Sequence, residues 1–324
     1  MSRTIRFSRR SALGLGLGAL ALPAIGRAQA LKELRIDWAT YNPLSLLIRD
    51  NKWLDEEFFK DGTSIRWVQS AGSNKALEFL NAGSLEFGST AGAAALLARI
   101  NGNPVKSIGV YSRPEWTALV TTKDSPVQKP ADLAGKSVAV TRGTDPHIFL
   151  IRALAEAKVK QSDVRFVLLQ HADGKTALLR GDVQAWAGLD PIMASAEVEA
   201  GARLFHRRPE LNTWGILNTT DAFAQKSPDI VKRVLGVYEK ARVFALANPK
   251  AVLDALVAAA KLPENVIAKQ VERTDFSAKA IGPVQAEAIK AAGIALQQAE
   301  VIKADVDVAG ITAALIDSRF APSA

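Results

Sequence analysis

Cysteine is absent from all 324 residues. That excludes a disulfide scaffold, a thiol nucleophile, a Cys-ligated zinc and a Cys-bound iron–sulfur cluster. It leaves the redox compartment open. Histidine is nearly as scarce: only His147, His171 and His206 occur, far apart in the chain. His171-Ala172-Asp173 offers half a metal site with no partner ligand in view, so neither a metal nor a cofactor is expected. Acidic residues are missing from positions 1–30, which carry five arginines. The remainder has 36 Lys+Arg against 33 Asp+Glu, a net of +3 instead of +8. A basic footprint for nucleic acid is therefore not supported.

Those first 30 residues have three parts. A basic stretch ends at Arg10, an apolar glycine-rich run covers 12–25, and Ala28-Gln29-Ala30 forms an A-x-A pattern before Leu31. The run is shorter than the roughly 20 residues that span a bilayer. The pattern is that of a secretory signal peptide, with an uncleaved anchor as the alternative. Ser8-Arg9-Arg10 also suits twin-arginine export. The mature chain is expected to be soluble and monomeric, in the periplasm.

Beyond the leader, β-type runs at 34–40, 64–69, 85–88, 105–111, 117–121, 137–141, 164–169, 183–187 and 214–219 alternate with helical patterns. These lie at 44–59, 74–81, 91–100, 147–157, 176–180 and 192–200. The alternation predicts an α/β fold with mainly parallel sheets. After about 220 the pattern is helical only, starting at Ser227-Pro228 and Asn248-Pro249 and again near 283–300 and 308–317. Two sheet-building blocks follow. Lobe 1 comprises 31–115 and 215–324, lobe 2 comprises 116–214, and two short joints could act as a hinge.

Ligands of open α/β sheets sit at the carboxyl ends of strands. Five such ends open helices: Thr40-Tyr41-Asn42-Pro43, Ser70-Ala71-Gly72-Ser73, Ser89-Thr90-Ala91-Gly92, Thr144-Asp145-Pro146 and Asp190-Pro191. Helix starts present unbonded N–H groups and about half a positive charge, which suits a small oxyanion. Ordinary capping is the competing explanation for each. Enzyme motifs fail: Pro130 occupies the first glycine position of a phosphate loop at 131–137, and Gly88-Ser89-Thr90-Ala91-Gly92 has Thr at the elbow centre. Arg113 and Trp116 at the first joint are candidates for an anion partner and an apolar wall, although Arg113 could instead pair with Glu115. Trp186 and Trp214 are either wall or core. His147 stands out because it follows Gly143-Thr144 at a helix start.

The stretch Gly181-Asp182-Val183-Gln184-Ala185-Trp186-Ala187-Gly188-Leu189-Asp190-Pro191 resembles the G-x-(V/I)-D-A-W-x-x-W-D-P segment of periplasmic aliphatic sulfonate-binding proteins. Asp124-Ser125-Pro126 with 132–139, Gly143-Thr144 with His147, and Leu80-Asn81-Ala82-Gly83-Ser84-Leu85-Glu86-Phe87-Gly88 resemble further stretches of that sulfonate/nitrate/taurine-type superfamily. The resemblance covers about 33–250. It implies a two-lobed type II binding protein that delivers a small anionic solute to an ABC permease, without catalysis. The ligand set expected from turns and resemblance together is Thr40, Tyr41, Asn42, Gln69, Ser70, Gly72, Ser89, Thr90, Arg113, Trp116, Gly143, Thr144, His147, Trp186 and Asp190. Leu189 and Ile192 depart from aromatic positions of the family, and Ser89–Ala93 replaces a T-G-D-x-P turn. Taurine, nitrate or an uncharged pyrimidine are alternative ligands; Asp190 and Glu115 could hold an amine. Pyrimidine-precursor synthases on related folds rely on cysteines that this chain lacks.

Overall fold

The computed structural model describes residues 31–320, so the expected leader at 1–30 lies outside the described residues. The chain begins with β1 (Glu33–Trp38), α1 (Pro43–Asp50) and α2 (Trp53–Phe58). β2 (Ser64–Gln69), α3 (Ser73–Asn81), β3 (Gly88–Ala91), α4 (Gly92–Ile100) and β4 (Val105–Pro114) follow. A second set comprises β5 (Leu119–Thr121), β6 (Ser137–Val140), α5 (Asp145–Glu156), β7 (Arg165–Leu168), α6 (His171–Arg180), β8 (Ala185–Ala187), α7 (Ile192–Ala200) and β9 (Arg203–His206). The chain then returns through β10 (Gly215–Thr220) and α8 (Asp221–Lys226). It ends with α9 (Pro228–Ala247), α10 (Pro249–Ala260), α11 (Glu264–Glu272), β11 (Thr274–Asp275), α12 (Pro283–Gln298) and α13 (Val308–Leu315).

The five-stranded sheet, in the order β7-β6-β8-β5-β9, is built wholly from residues 119–206. Its inner strands β6, β8 and β5 are buried on both faces, while the edge strands β7 and β9 are partly exposed. Val138, Val140 and Leu119 pack with Phe149 and Leu154 of α5, while Ala139, Val120 and Trp186 pack with Leu178 and Met193. This is the apolar patterning that helices on both faces require. The other body carries β11-β4-β10-β3 and the β1-β2 pair, linked by Ile36↔Phe87 bridging and by Asp37 N–H donating to Phe87 O. Its core continues into the C-terminal helices, with Val234, Leu256, Ile267, Ile289 and Leu315 buried beside Leu34, Ile36 and Leu96. Ile148 and Ile151 of α5 and Leu189 join this same core, so the two bodies abut.

Three expectations change. The sheets are mixed: β10 runs antiparallel to both β3 and β4, and β5 is antiparallel to β8 and β9. A strand returning from the second body enters the first between existing neighbours, in the opposite direction to both. The helix expected at 44–59 breaks at Asn51 and Lys52; Lys52 takes φ 55°, a left-handed conformation that cannot continue a helix. Strands do not stop at 220, because β11 pairs Thr274 with Pro114 and Asp275 with Arg113.

Gly215 opens β10 where the chain comes back. A Cβ there would collide with the Tyr111 ring and come within 2.6 Å of Ser112 Oγ. Gly215→Ala should therefore cost about 1–3 kcal/mol through overpacking. Urea unfolding should show a lower midpoint with unchanged slope.

Candidate binding site

Between the bodies lies a narrow gap lined by Tyr41, Ser73, Trp116, Thr144, Asp145, Pro146 and Leu189. The space left there takes about one water molecule at most. Trp116 lies in the segment between β4 and β5. Its ring meets Tyr41 edge-on at 6.0 Å and an 84° interplanar angle, with Tyr111 at 6.5 Å. The Trp116 indole N–H donates to Asp145 at 2.9 Å. Asp145 also accepts from Thr213 N–H at 3.0 Å and Thr213 Oγ at 2.6 Å. One buried carboxylate at the start of α5 thus holds both segments that cross between the bodies. Burial pushes its pKa up, while the Thr213 and Trp116 hydrogen bonds hold it down.

The five helix starts do not contribute alike. Asn42 caps α1 by accepting from Ser45 N–H. The start of α4 is covered by residues 213 and 214: Gly92 N–H donates to Thr213 O and Ala93 N–H to Thr213 Oγ. Asp190 accepts from Ala194 N–H in α7. α3 and α5 have no side-chain cap; Thr144 Oγ donates backward to Thr141 O instead. These two uncapped starts carry Ser73 and Thr144, which face the same gap. His147 lies one turn into α5, with Nδ1 buried and unpartnered and its ring edge-on to Phe166. Burial and then the nearby Arg142 cation lower its pKa to about 4, so it is neutral at pH 7.

Behind Tyr41 lies a second buried carboxylate, Asp37. Its Oδ1 accepts from Ser89 N–H at 2.9 Å and Ser89 Oγ at 2.8 Å. Asn42 Nδ2 donates to the same Ser89 Oγ and to Tyr238 OH, Tyr41 OH donates to Ser89 O, and Asn218 Nδ2 donates to Thr90 Oγ. Asp37 Oδ2 and Ser70 Oγ have no partner.

Of the expected ligand residues, Tyr41, Trp116 and Thr144 line the gap, and Ser70, Gly72, Gly143 and His147 adjoin its walls. Asn42, Ser89 and Thr90 belong to the network behind Tyr41. Thr40 O accepts from Gln270 Nε2, which ties that loop to α11. Four expected residues are placed elsewhere. Gln69 is exposed at the end of β2. Arg113 is exposed over the Trp214 ring at 5.5 Å and does not pair with Glu115, which binds Arg207. Trp186 is fully buried in a core of the five-stranded sheet, packed against Gly174. Asp190 pairs with Arg273 at 3.4 Å, and Arg273 also binds Glu197, so Asp190 already has its cation. The expected ligand set left out the lining residues Ser73, Asp145, Pro146 and Leu189, although Leu189 was noted where the family carries an aromatic. The first three stood inside helix-start motifs expected to hold an oxyanion, but other residues of those motifs were chosen. Arg273 had no signal, being 83 residues from its partner.

The model of the NMT1/THI5 like family matches residues 55–252. A protein of Escherichia coli (strain K12), named for the binding of aliphatic sulfonates, is 28% identical over 274 residues, 84% of this chain and 85% of that protein. The crystal structure of the periplasmic aliphatic sulphonate binding protein SsuA from Escherichia coli matches with a TM-score of 0.72 and 26% identity, covering 86% of this chain and 90% of that one. The alkanesulfonate-binding protein SsuA from Xanthomonas axonopodis pv. citri, solved bound to MOPS, has a TM-score of 0.80 and 23% identity, covering 90% and 99%. The fold is accordingly the two-lobed periplasmic binding protein fold.

Asp37 gives this site a titration with a definite sign. Burial raises its pKa from 3.8 to about 6. The folded state therefore favours the protonated form. That stabilisation is complete below pH 3.8 and is lost as pH rises through 6, about 3 kcal/mol in all. Asn mimics the protonated acid and can donate to Ser70 Oγ. Asp37→Asn should be more stable than the parent at pH 8 by about 2–3 kcal/mol, with the difference closing near pH 4. Urea unfolding at both pH values checks this; a difference independent of pH would refute it.

Proposed function

The chain belongs to the NMT1/THI5-like family, and from that premise we propose that it is an extracytoplasmic receptor for an alkanesulfonate or similar small oxyanion. The observation that carries this reading is the pair of uncapped helix starts, α3 and α5, brought face to face across a gap walled by Tyr41 and Trp116. The amides supply donors and partial positive charge, and the rings supply an apolar wall for a short alkyl chain. Arg142, exposed at the loop before α5, adds a full positive charge near His147.

In this reading residues 31–115 with 215–324 form one lobe and 116–214 the other. The joints lie near Trp116 and Trp214, where Trp214 holds φ 63°, an outlying conformation for a bulky residue. The gap is too small for a sulfonate, so the ligand enters after the lobes part. Parting must break Arg273–Asp190, Arg207–Glu115 and the Gln161–Ala299 hydrogen bond. Ligand contacts made only in the closed state would restore the balance. The receptor would act as a monomer in the periplasm, after removal of residues 1–30, and pass its cargo to ABC permease subunits. Binding requires no catalysis, and the site residues offer no nucleophile–base pair.

Thermal shift with ethanesulfonate, taurine, nitrate, sulfate and uracil separates this reading from its alternatives. The fitting anion at 100 times its Kd should add about 2.7 kcal/mol. Trp116→Ala should weaken it at least tenfold, about 1.4 kcal/mol, whereas Arg113→Ala should leave it unchanged. A response to uracil alone would favour the uncharged solute. Silence toward every anion would end the proposal.

A further inference from the structure

His171 is an imidazole with one nitrogen accounted for and one left bare. Thr141 Oγ donates its single proton to Leu169 O at 2.7 Å. Its 3.2 Å contact with His171 Nδ1 is therefore a hydrogen bond that Nδ1–H donates and the hydroxyl accepts. That fixes the tautomer and leaves Nε2 as a lone pair. The side chain is buried at 2% exposure, and Nε2 has no partner. Burial lowers the imidazole pKa to about 3, in keeping with a neutral ring.

The bare nitrogen points across the interface at the start of α3. A Cβ on Gly72 would lie 3.1 Å from it and 2.8 Å from Asn74 Oδ1. Asn74 in turn faces Gly143, whose Cβ would meet it at 3.8 Å. Asn74 Oδ1 and the buried Ser70 Oγ are also unpartnered. The Asn74 amide can turn its nitrogen toward Nε2 while the bodies are together and Ser70 can rotate its hydroxyl, but Asn74 belongs to the opposite body and would leave when the bodies part, and His171 cannot exchange its acceptor for a donor without losing Thr141. A buried acceptor of this kind requires an N–H or O–H. An oxyanion cannot provide one and would be repelled by the lone pair, so its place is at the amides of α3 and α5.

We propose that His171 is a specificity-determining residue whose Nε2 accepts a hydrogen bond from a hydroxyl or ammonium group on the ligand chain. The receptor then prefers sulfonates that carry such a donor to plain alkanesulfonates. This rests on the oxyanion reading above, to which it adds a second recognition point on the opposite lobe from Gly72. A site that hydrogen-bonds a ligand donor discriminates strongly against the analogue lacking it, because its own polar atom is then left unpaired.

Isothermal titration of the mature chain with ethanesulfonate, 2-hydroxyethanesulfonate and taurine tests this on ligands of one chain length. At least one of the two donor-bearing ligands should bind tenfold or more tightly than ethanesulfonate, and which one tells a hydroxyl from an ammonium subsite. His171→Asn keeps a donor for Thr141 and removes the Nε2 acceptor. It should lower the affinity of the preferred ligand about tenfold and leave ethanesulfonate unchanged. His171→Gln, which can place an amide oxygen near Nε2, should recover part of the loss. Equal affinities for all three ligands would overturn the role of His171 and leave the oxyanion reading standing. No binding by any of them would overturn both. Should the variants fail to fold, the wild-type order of affinities decides alone.

Discussion

A carboxylate buried at the start of a helix, Asp145, determines how the rest of the interface is arranged. Taking a carboxylate out of water costs several kcal/mol unless donors replace the solvent. Here the indole of Trp116 and two groups of Thr213 do so, at the positive end of α5. The consequence is geometric. Trp116 and Thr213 lie on different crossing segments, and either turning away would remove donors from the buried carboxylate. Thr213 carries the constraint further, because its carbonyl and hydroxyl accept the first amides of α4. A chain of polar contacts therefore runs from the start of α5 through Asp145 and Thr213 to the start of α4. It places the Trp116 ring against Tyr41 on the way.

That arrangement explains why only some helix starts are available. α4 is covered by the returning chain and α1 by Asn42, so their amides hold the fold together. α3 and α5 meet at the same gap with amides unclaimed by side chains, which is what the proposed site rests on. Contact between the two bodies is reinforced at a distance by Arg273, which reaches from the end of α11 to Asp190 before α7 and to Glu197 within it. A buried ion pair adds little net stability, but separating it leaves charges that water must reclaim. In the proposed receptor such a contact would suit a clasp that opens and closes, with a free energy difference small enough for ligand contacts to decide it.

Much of the architecture was legible in the sequence. β2 and α7 form over the expected residues, because strand alternation and the glycine at 201 that ends α7 are local signals. Local signals also explain the misplacements. Leu85 and Phe87 are buried as a strand would bury them, yet the ladder with β10 forms at Gly88–Ala91, where the neighbour lies. β11 is two residues long and exists only because β4 offers an edge. Sheet direction depends on the route of the returning chain, which no periodicity encodes. The site shows the same division. Proline and hydroxyl residues announced the helix starts, but whether a start is capped depends on residues such as Thr213, 120 positions from the amide it covers. Trp186 carried the strongest motif and went to the core, because Gly174 of α6 leaves it a flat surface to pack against.

The chemical character of the gap is set more by the orientation of dipoles than by formal charge. Residues 31–324 carry a net charge of only +3, and Arg113, at the end of β4 before the first crossing segment, is stacked on Trp214 at the surface. A gap lined by helix starts and by a carboxylate whose oxygens are already taken by Trp116 and Thr213 would behave differently from one built on a buried arginine. Its donors are fixed by helices and need no rearrangement when the ligand arrives. In the proposed role His171 Nε2 is an equally fixed acceptor, and it would give the opened cleft polarity along its length. A ligand that is negative throughout would satisfy the helix starts and collide electrostatically with the imidazole. A ligand with an oxyanion at one end and a donor at the other satisfies both, and only in the closed state do both walls reach it.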